Sequence, residues 1–237
     1  MTPPPTVARR PLPAGGSTAD ILVLTPDGGP FVAGSAADPA ARPDAAAHTY
    51  PPGHGSLADQ LGGPDPSLVT ETERALATAS DGRIGGLAVT TIGYLSRAQH
   101  RLAAATGRTV VSSPLLAVPM LLAVLPPGRR LLVVYAHLGY AGPDDIPGVP
   151  ADRAADVLRV GLEHEGPFRR AVLDRTEAFD HAGVAAQIID LLDVPDLGAV
   201  VLECGEMAAV ADAVRAATRV PVIDYHALVG LFAAATA

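Results

Sequence analysis

The chain has 237 residues, of which 49% are hydrophobic and 18% charged, and its formal net charge at pH 7 is −8. That length and apolar content suffice for one large domain or two small lobes with true cores, and they exclude a generally disordered chain. Basic residues never run beyond a pair (Arg9-Arg10, Arg129-Arg130, Arg169-Arg170), which argues against nucleic acid and against an anionic membrane surface as partners.

Aromatics make up only 4% and Trp is absent, so the core must be built from Ala, Val, Leu and Ile. The single cysteine, Cys204, cannot form an internal disulfide. No apolar run reaches the roughly 20 residues of a membrane span, and the N-terminus lacks an apolar signal core. The chain reads as cytoplasmic.

Residues 1–18, rich in Pro, Arg, Gly and Ser, read as a tail. A short apolar run at 21–24 predicts a first buried strand, and 26–66 reads as a long loop of the kind that covers sites. Helices are expected at 67–79, 95–105, 114–124, 182–192, 207–217 and 226–235. Strands are expected at 84–89, 109–111, 131–135, 157–162, 199–202 and 220–223, with a second loop at 139–150. Apolar strands alternating with helices predict an α/β fold with parallel sheets covered on both faces. Residues 84–111 and 199–223 repeat one order: strand, polar turn, helix, short strand. Two pseudo-symmetric Rossmann-like lobes follow, the first from 19–113 plus 224–237 and the second from 114–223, with the active site between them.

Ligands of such sheets bind at the carboxyl ends of the strands. That rule selects 89–94, Ser112-Ser113, 135–138 and 204–206. Cys204 follows a buried strand and precedes a helix, where backbone N–H groups lower a thiol's pKa and favour the thiolate. The competing reading is an inert buried cysteine. Thr90, Thr91, Ser112 and Ser113 offer hydroxyls for a carboxylate cradle, against ordinary helix capping as the alternative. His54, His137 and His226 stand nearest strand or loop ends and are candidate second proton carriers. Tyr94, Tyr135 and Tyr140 are hydrogen-bond donors for which buried packing is the default. Glu163-His164-Glu165, before Gly166-Pro167, reads as a solvated turn. There is no metal-ligand spacing, phosphate loop, dinucleotide turn or nucleophile elbow.

Leu202-Glu203-Cys204-Gly205-Glu206-Met207, continuing to Val220-Pro221-Val222-Ile223-Asp224, is similar to the second-cysteine segment of the aspartate/glutamate/hydantoin racemase superfamily. Val89-Thr90-Thr91-Ile92-Gly93-Tyr94-Leu95 matches the first-cysteine turn, and Val111-Ser112-Ser113-Pro114-Leu115-Leu116-Ala117-Val118-Pro119 resembles a further segment. Gly161-Leu162-Glu163 and Phe168 are also similar to a family stretch.

The resemblance implies cofactor-free chemistry on a small carboxylic acid, with two cysteines flanking the reacting carbon, and a homodimer. Here the first-cysteine position is Ile92, and Gly205 replaces the common Thr after the second. Two-thiol racemisation is therefore unavailable. Arylmalonate decarboxylases, with a Cys-Gly pair and no first cysteine, offer a one-thiol precedent.

The leading expectation is thus an isomerase or lyase in which Cys204 transfers a proton next to a carboxylate, by decarboxylation, isomerisation or stereospecific protonation. Thr90, Thr91, Ile92, Ser112, Ser113, Tyr135, Gly205 and Glu206 would line the substrate. The alternatives are an amino-acid or hydantoin racemase or epimerase taking its second base from His137 or His226, or from His54 in the long loop, and a non-catalytic binding protein on an inherited fold.

Overall fold

A computed structural model describes residues 21–26, 32–41, 43, 45–50, 66–80, 86–142 and 145–236. Its strands are β1 (Ile21–Pro26), β2 (Ala45–Tyr50), β3 (Leu87–Thr90), β4 (Thr109–Val111), β5 (Arg130–Tyr135), β6 (Val157–Gly161), β7 (Leu197–Leu202) and β8 (Val222–Ile223). Its α-helices are α1 (Pro66–Ser80), α2 (Gln99–Thr106), α3 (Val118–Val124), α4 (His181–Ile189), α5 (Ala211–Ala217) and α6 (Tyr225–Thr236).

The strands form two four-stranded sheets, ordered β2-β1-β3-β4 and β6-β5-β7-β8. Every pairing is parallel. The two orders are the same when β1 is matched to β5, so the internal echo in the sequence corresponds to a repeated strand order. The apolar runs explain the parallel arrangement: Leu131 to Tyr135 and Ala199 to Leu202 are buried without interruption, as strands covered on both faces must be.

Three clusters fill the spaces around the sheets. Beneath α1 and α2 lies a cluster with Leu68, Leu76, Ile92, Leu95 and Leu102. A second, with Phe168, Val184, Ile188 and Val214, covers the outer face of the β5–β8 sheet. The third contains Ile21, Val89 and Val111 from one sheet and Leu131, Val133 and Val201 from the other, joined by Leu115, Leu122 and Leu228. The sheets therefore share one apolar core.

Several elements differ from expectation. Strand β2 falls inside the expected 26–66 loop, because Ala-Ala-Ala-His-Thr-Tyr carries neither β-branched enrichment nor alternation. The expected helices at 95, 114 and 207 are entered through short 3-10 turns, at Gly93–Ala98, Pro114–Ala117 and Gly205–Val210. A single π-helical turn at Arg169–Leu173 was not expected. The expected tail at 1–18 and His54 lie outside the described residues.

Candidate functional site

The ends of β3, β5 and β7 meet around one carboxyl group. Glu203, immediately after β7, is only 2% exposed. Its Oε2 accepts a hydrogen bond from the Ala136 N–H, just past β5, at 3.3 Å. It also lies against Gly93, past β3: a Cβ at residue 93 would sit well inside 3.0 Å of the carboxyl atoms. Only glycine leaves that space. Burial raises the pKa of Glu203 from 4.5 to about 7, opposed by the Ala136 N–H and reinforced by the charges of Glu206 and Asp145.

Cys204 follows. Its thiol donates to Glu206 Oε2 at 2.7 Å. Burial, then the charges of Glu206 and Glu203, hold its pKa well above the ordinary thiol value. The sequence-based expectation of a lowered pKa and a resting thiolate is therefore corrected. The Glu206 N–H does bond the sulfur and opposes the rise, but one amide on a short 3-10 turn is outweighed by desolvation and two carboxyls. Glu206 is itself raised by burial, against the thiol's hydrogen bond, its own N–H and the Arg175 charge.

Gly205 is wedged between two segments. A Cβ there would lie 2.8 Å from the Thr91 carbonyl oxygen and 3.5 Å from the Ala36 Cβ. This explains in steric terms why residue 205 carries no side chain. Ala36 belongs to a strap, residues 32–41, whose Ala36 N–H donates to the Gly205 carbonyl at 3.0 Å. Gly34, at φ +82°, faces Ala209: a Cβ at residue 34 would lie 3.5 Å from the Ala209 Cα. The described part of the long loop thus covers the Cys204 turn.

The hydroxyl cradle is largely committed to internal bonds. Thr90 donates to the Ser112 carbonyl at 2.8 Å, and Ser112 donates to Gln99 Oε1 at 2.6 Å. Ser113 Oγ accepts from the Leu115 N–H at 3.1 Å, the capping role that competed with ligand binding. Thr91 is buried beside Gly205. Ile92 packs into the cluster beneath α1 and α2. The Tyr135 hydroxyl donates to buried Asp145, which also faces Arg159 at 3.5 Å; burial, then Asp145, raises the phenol's pKa.

Of the three candidate histidine proton carriers, the two within the described residues hold backbone. His226 Nε2 meets the Gly34 carbonyl at 3.1 Å, gripping the strap, and His137 Nδ1 accepts from the Gly139 N–H at 2.9 Å. No described hydrogen bond joins either to Cys204. His164 is exposed in its turn, as expected.

Two residues at the site were missed. Glu203 is a carboxylate placed directly after an apolar strand, which was itself a readable signal. Tyr225, completely buried, donates to the Ser112 carbonyl at 3.0 Å, and burial and the charges of Glu203, Cys204 and Glu206 raise its pKa. Asp224 sets its place by accepting the Ala227 N–H at 3.1 Å, an N-cap legible as Asp before an apolar helix.

Among the described residues no group of three His, Cys, Asp or Glu side chains could hold a metal ion. No described helix is long and apolar enough to cross a membrane.

No family model matches the chain, and no curated protein matches it. Among solved structures it is similar to arylmalonate decarboxylase, at 18% identity and a TM-score of 0.49 over 91% of this chain and 92% of that one. It is likewise similar to an unliganded arylmalonate decarboxylase, at 17% identity and TM-score 0.46 over 92% of each chain. The allantoin racemase of Pseudomonas fluorescens is similar at 16% identity and TM-score 0.44, over 91% of this chain and 89% of that one.

Proposed function

We propose that this chain is a cofactor-independent enzyme that protonates a carbon next to a carboxylate, with Cys204 as the acid. The observation that carries the reading is the placement of the thiol: at the carboxyl end of β7, donating to Glu206 Oε2 at 2.7 Å, where burial and two neighbouring carboxyls favour its protonated form. A thiol in that state is an acid held ready and not a nucleophile.

With a malonate-type substrate, the bond to the departing carboxylate breaks and its electron pair remains on the α-carbon as an enediolate. That pair takes the proton from Cys204, and the S–H pair stays on sulfur as a thiolate. Beside the buried Glu203 carboxyl and the half-buried Glu206 carboxyl the thiolate is costly, so it recovers a proton promptly from Glu203 or solvent. Breaking the C–C bond replaces the proton abstraction that a second thiol would perform, so Ile92 is no obstacle.

A second reading, a racemase or epimerase, has one observation in its favour. The Glu203 carboxyl lies against Gly93, one residue past Ile92, and its pKa of about 7 suits a general base. In this reading Glu203, and not a histidine, supplies the second proton carrier.

Incubation in D2O with aspartate, glutamate, hydantoins and aryl- and alkylmalonates, followed by proton NMR, separates the two. Loss of a malonate with deuterium entering one product enantiomer, abolished in Cys204→Ala, is the expected result. Deuterium entering the α-carbon of an intact amino acid would give the second reading precedence. No exchange in any compound would sink both.

A further inference from the structure

The strap over the Cys204 turn carries a hydroxyl that the fold leaves unused. Ser35 is 1% exposed, and its Oγ has no hydrogen-bond partner among the described residues. Buried hydroxyls are nearly always paired, because an unpaired one forfeits its bonds to water for nothing. The rest of the strap is well satisfied. The Ser35 N–H donates to Val32 O at 3.0 Å, and the Ser35 carbonyl accepts from the Asp38 N–H at 3.1 Å. The Asp38 carboxylate accepts from the Gly34 and Ala40 N–H groups at 2.7 and 2.9 Å.

The strap is also fixed in place. His181 from α4 and His226 from α6 grip the consecutive carbonyls of Ala33 and Gly34, at 2.9 and 3.1 Å. The residues flanking Ser35 both face the segment that follows the thiol: a Cβ at Gly34 would lie 3.5 Å from the Ala209 Cα, and Ala36 bonds Gly205. An orphan hydroxyl is thus carried on a clamped segment, one residue from the Ala36 N–H that bonds the turn following Cys204.

An anionic substrate needs neutral or positive donors there. Thr90 and Ser112 already donate internally, and Glu203 and Glu206 repel a carboxylate. We propose that Ser35 is a substrate-binding residue whose hydroxyl donates to the carboxylate of the small organic acid that Cys204 protonates. This inference rests on the one-thiol reading of the site.

The single cysteine allows a clean test. Iodoacetate and iodoacetamide alkylate the same thiol and differ in one respect, the carboxylate. Their rates at Cys204 are followed by intact mass at about pH 8.5 in the wild-type chain and in Ser35→Ala, with Tm recorded for both. The wild type is expected to react faster with iodoacetate than intrinsic reactivity allows, and saturably. Ser35→Ala is expected to lower the iodoacetate-to-iodoacetamide ratio about 10-fold, the loss of one hydrogen bond to a charged group. Its iodoacetamide rate should stay unchanged, and its Tm should be no lower, because the variant removes an unpaired polar atom. A retained preference in Ser35→Ala would overturn the role of Ser35 and leave the one-thiol reading standing. A wild type without the preference would overturn both. Both rates shifting together with a lowered Tm would make Ser35 a structural residue and also overturn the proposal.

Discussion

Replacing Gly93 by alanine tests the interlock between the strand ends. The added Cβ would fall well inside 3.0 Å of Glu203 Cγ, Cδ and Oε1, and Glu203 is buried with nowhere to retreat. Overpacking of this kind costs about 1–3 kcal/mol. If the carboxyl swings away, the buried Ala136 N–H loses its partner, at a further cost of about 1–3 kcal/mol. The expected loss is roughly 2–6 kcal/mol, a large fraction of the 5–15 kcal/mol that holds a typical domain. At this chain length that corresponds to a fall in Tm of about 4–24 °C. In a Glu203→Ala background all three clashing atoms are gone, so Gly93→Ala should then change stability by less than about 0.5 kcal/mol. Urea unfolding of the four proteins gives the coupling directly. Equal costs in the two backgrounds, or a Gly93→Ala cost below about 0.5 kcal/mol in the wild type, would refute the interlock.

Glu203 also makes stability depend on pH. Its folded pKa of about 7 stands above the ordinary 4.5, so the folded state holds the proton more tightly and is favoured at low pH. This contribution is fully present below 4.5, declines as pH rises to about 7, and totals about 3 kcal/mol. A Tm lower at pH 8 than at pH 5.5, with the difference reduced in Glu203→Gln, is the expected result. The same ionisation should weaken binding of an anionic substrate, so KM should rise with pH through about 7 and flatten in Glu203→Gln. Arg215 pairs with Asp224, which is 0% exposed and has a second oxygen already without a partner. Arg215→Met strands that charge and should cost about 3 kcal/mol in urea unfolding, and a cost below 1 kcal/mol would contradict the pairing. Gly205→Ala sets a Cβ 2.8 Å from a backbone oxygen and should destabilise by about 1–3 kcal/mol, measured as Tm, while speeding hydrogen exchange at the Ala36 amide that bonds the Gly205 carbonyl.

The parallel α/β pattern was legible because strands buried on both faces must be continuously apolar, and Leu131 to Tyr135 and Ala199 to Leu202 are. The Cys204 turn was legible because a polar pair ends such a run. Strand β2 was not, since an alanine run carries no period. The direction of the Cys204 pKa was misjudged because its largest cause, burial, depends on tertiary packing; only the lesser causes, the Glu206 and Glu203 charges, stood in the sequence. The strap's docking and the orphan Ser35 hydroxyl depend on contacts between segments far apart in the chain, which local pattern does not encode.

That Cys204 rests as a protonated acid is tested most directly by its alkylation rate as a function of pH. With one cysteine in the chain, iodoacetamide labelling followed by intact mass reports this thiol alone. Half-maximal reactivity is expected well above the roughly 8.5 of a free thiol. It should move down in Glu206→Gln, which removes the nearest carboxylate. A midpoint at or below about 8.5 in the wild type, unmoved by Glu206→Gln, would mean a resting thiolate-prone cysteine and would contradict its assignment as the acid.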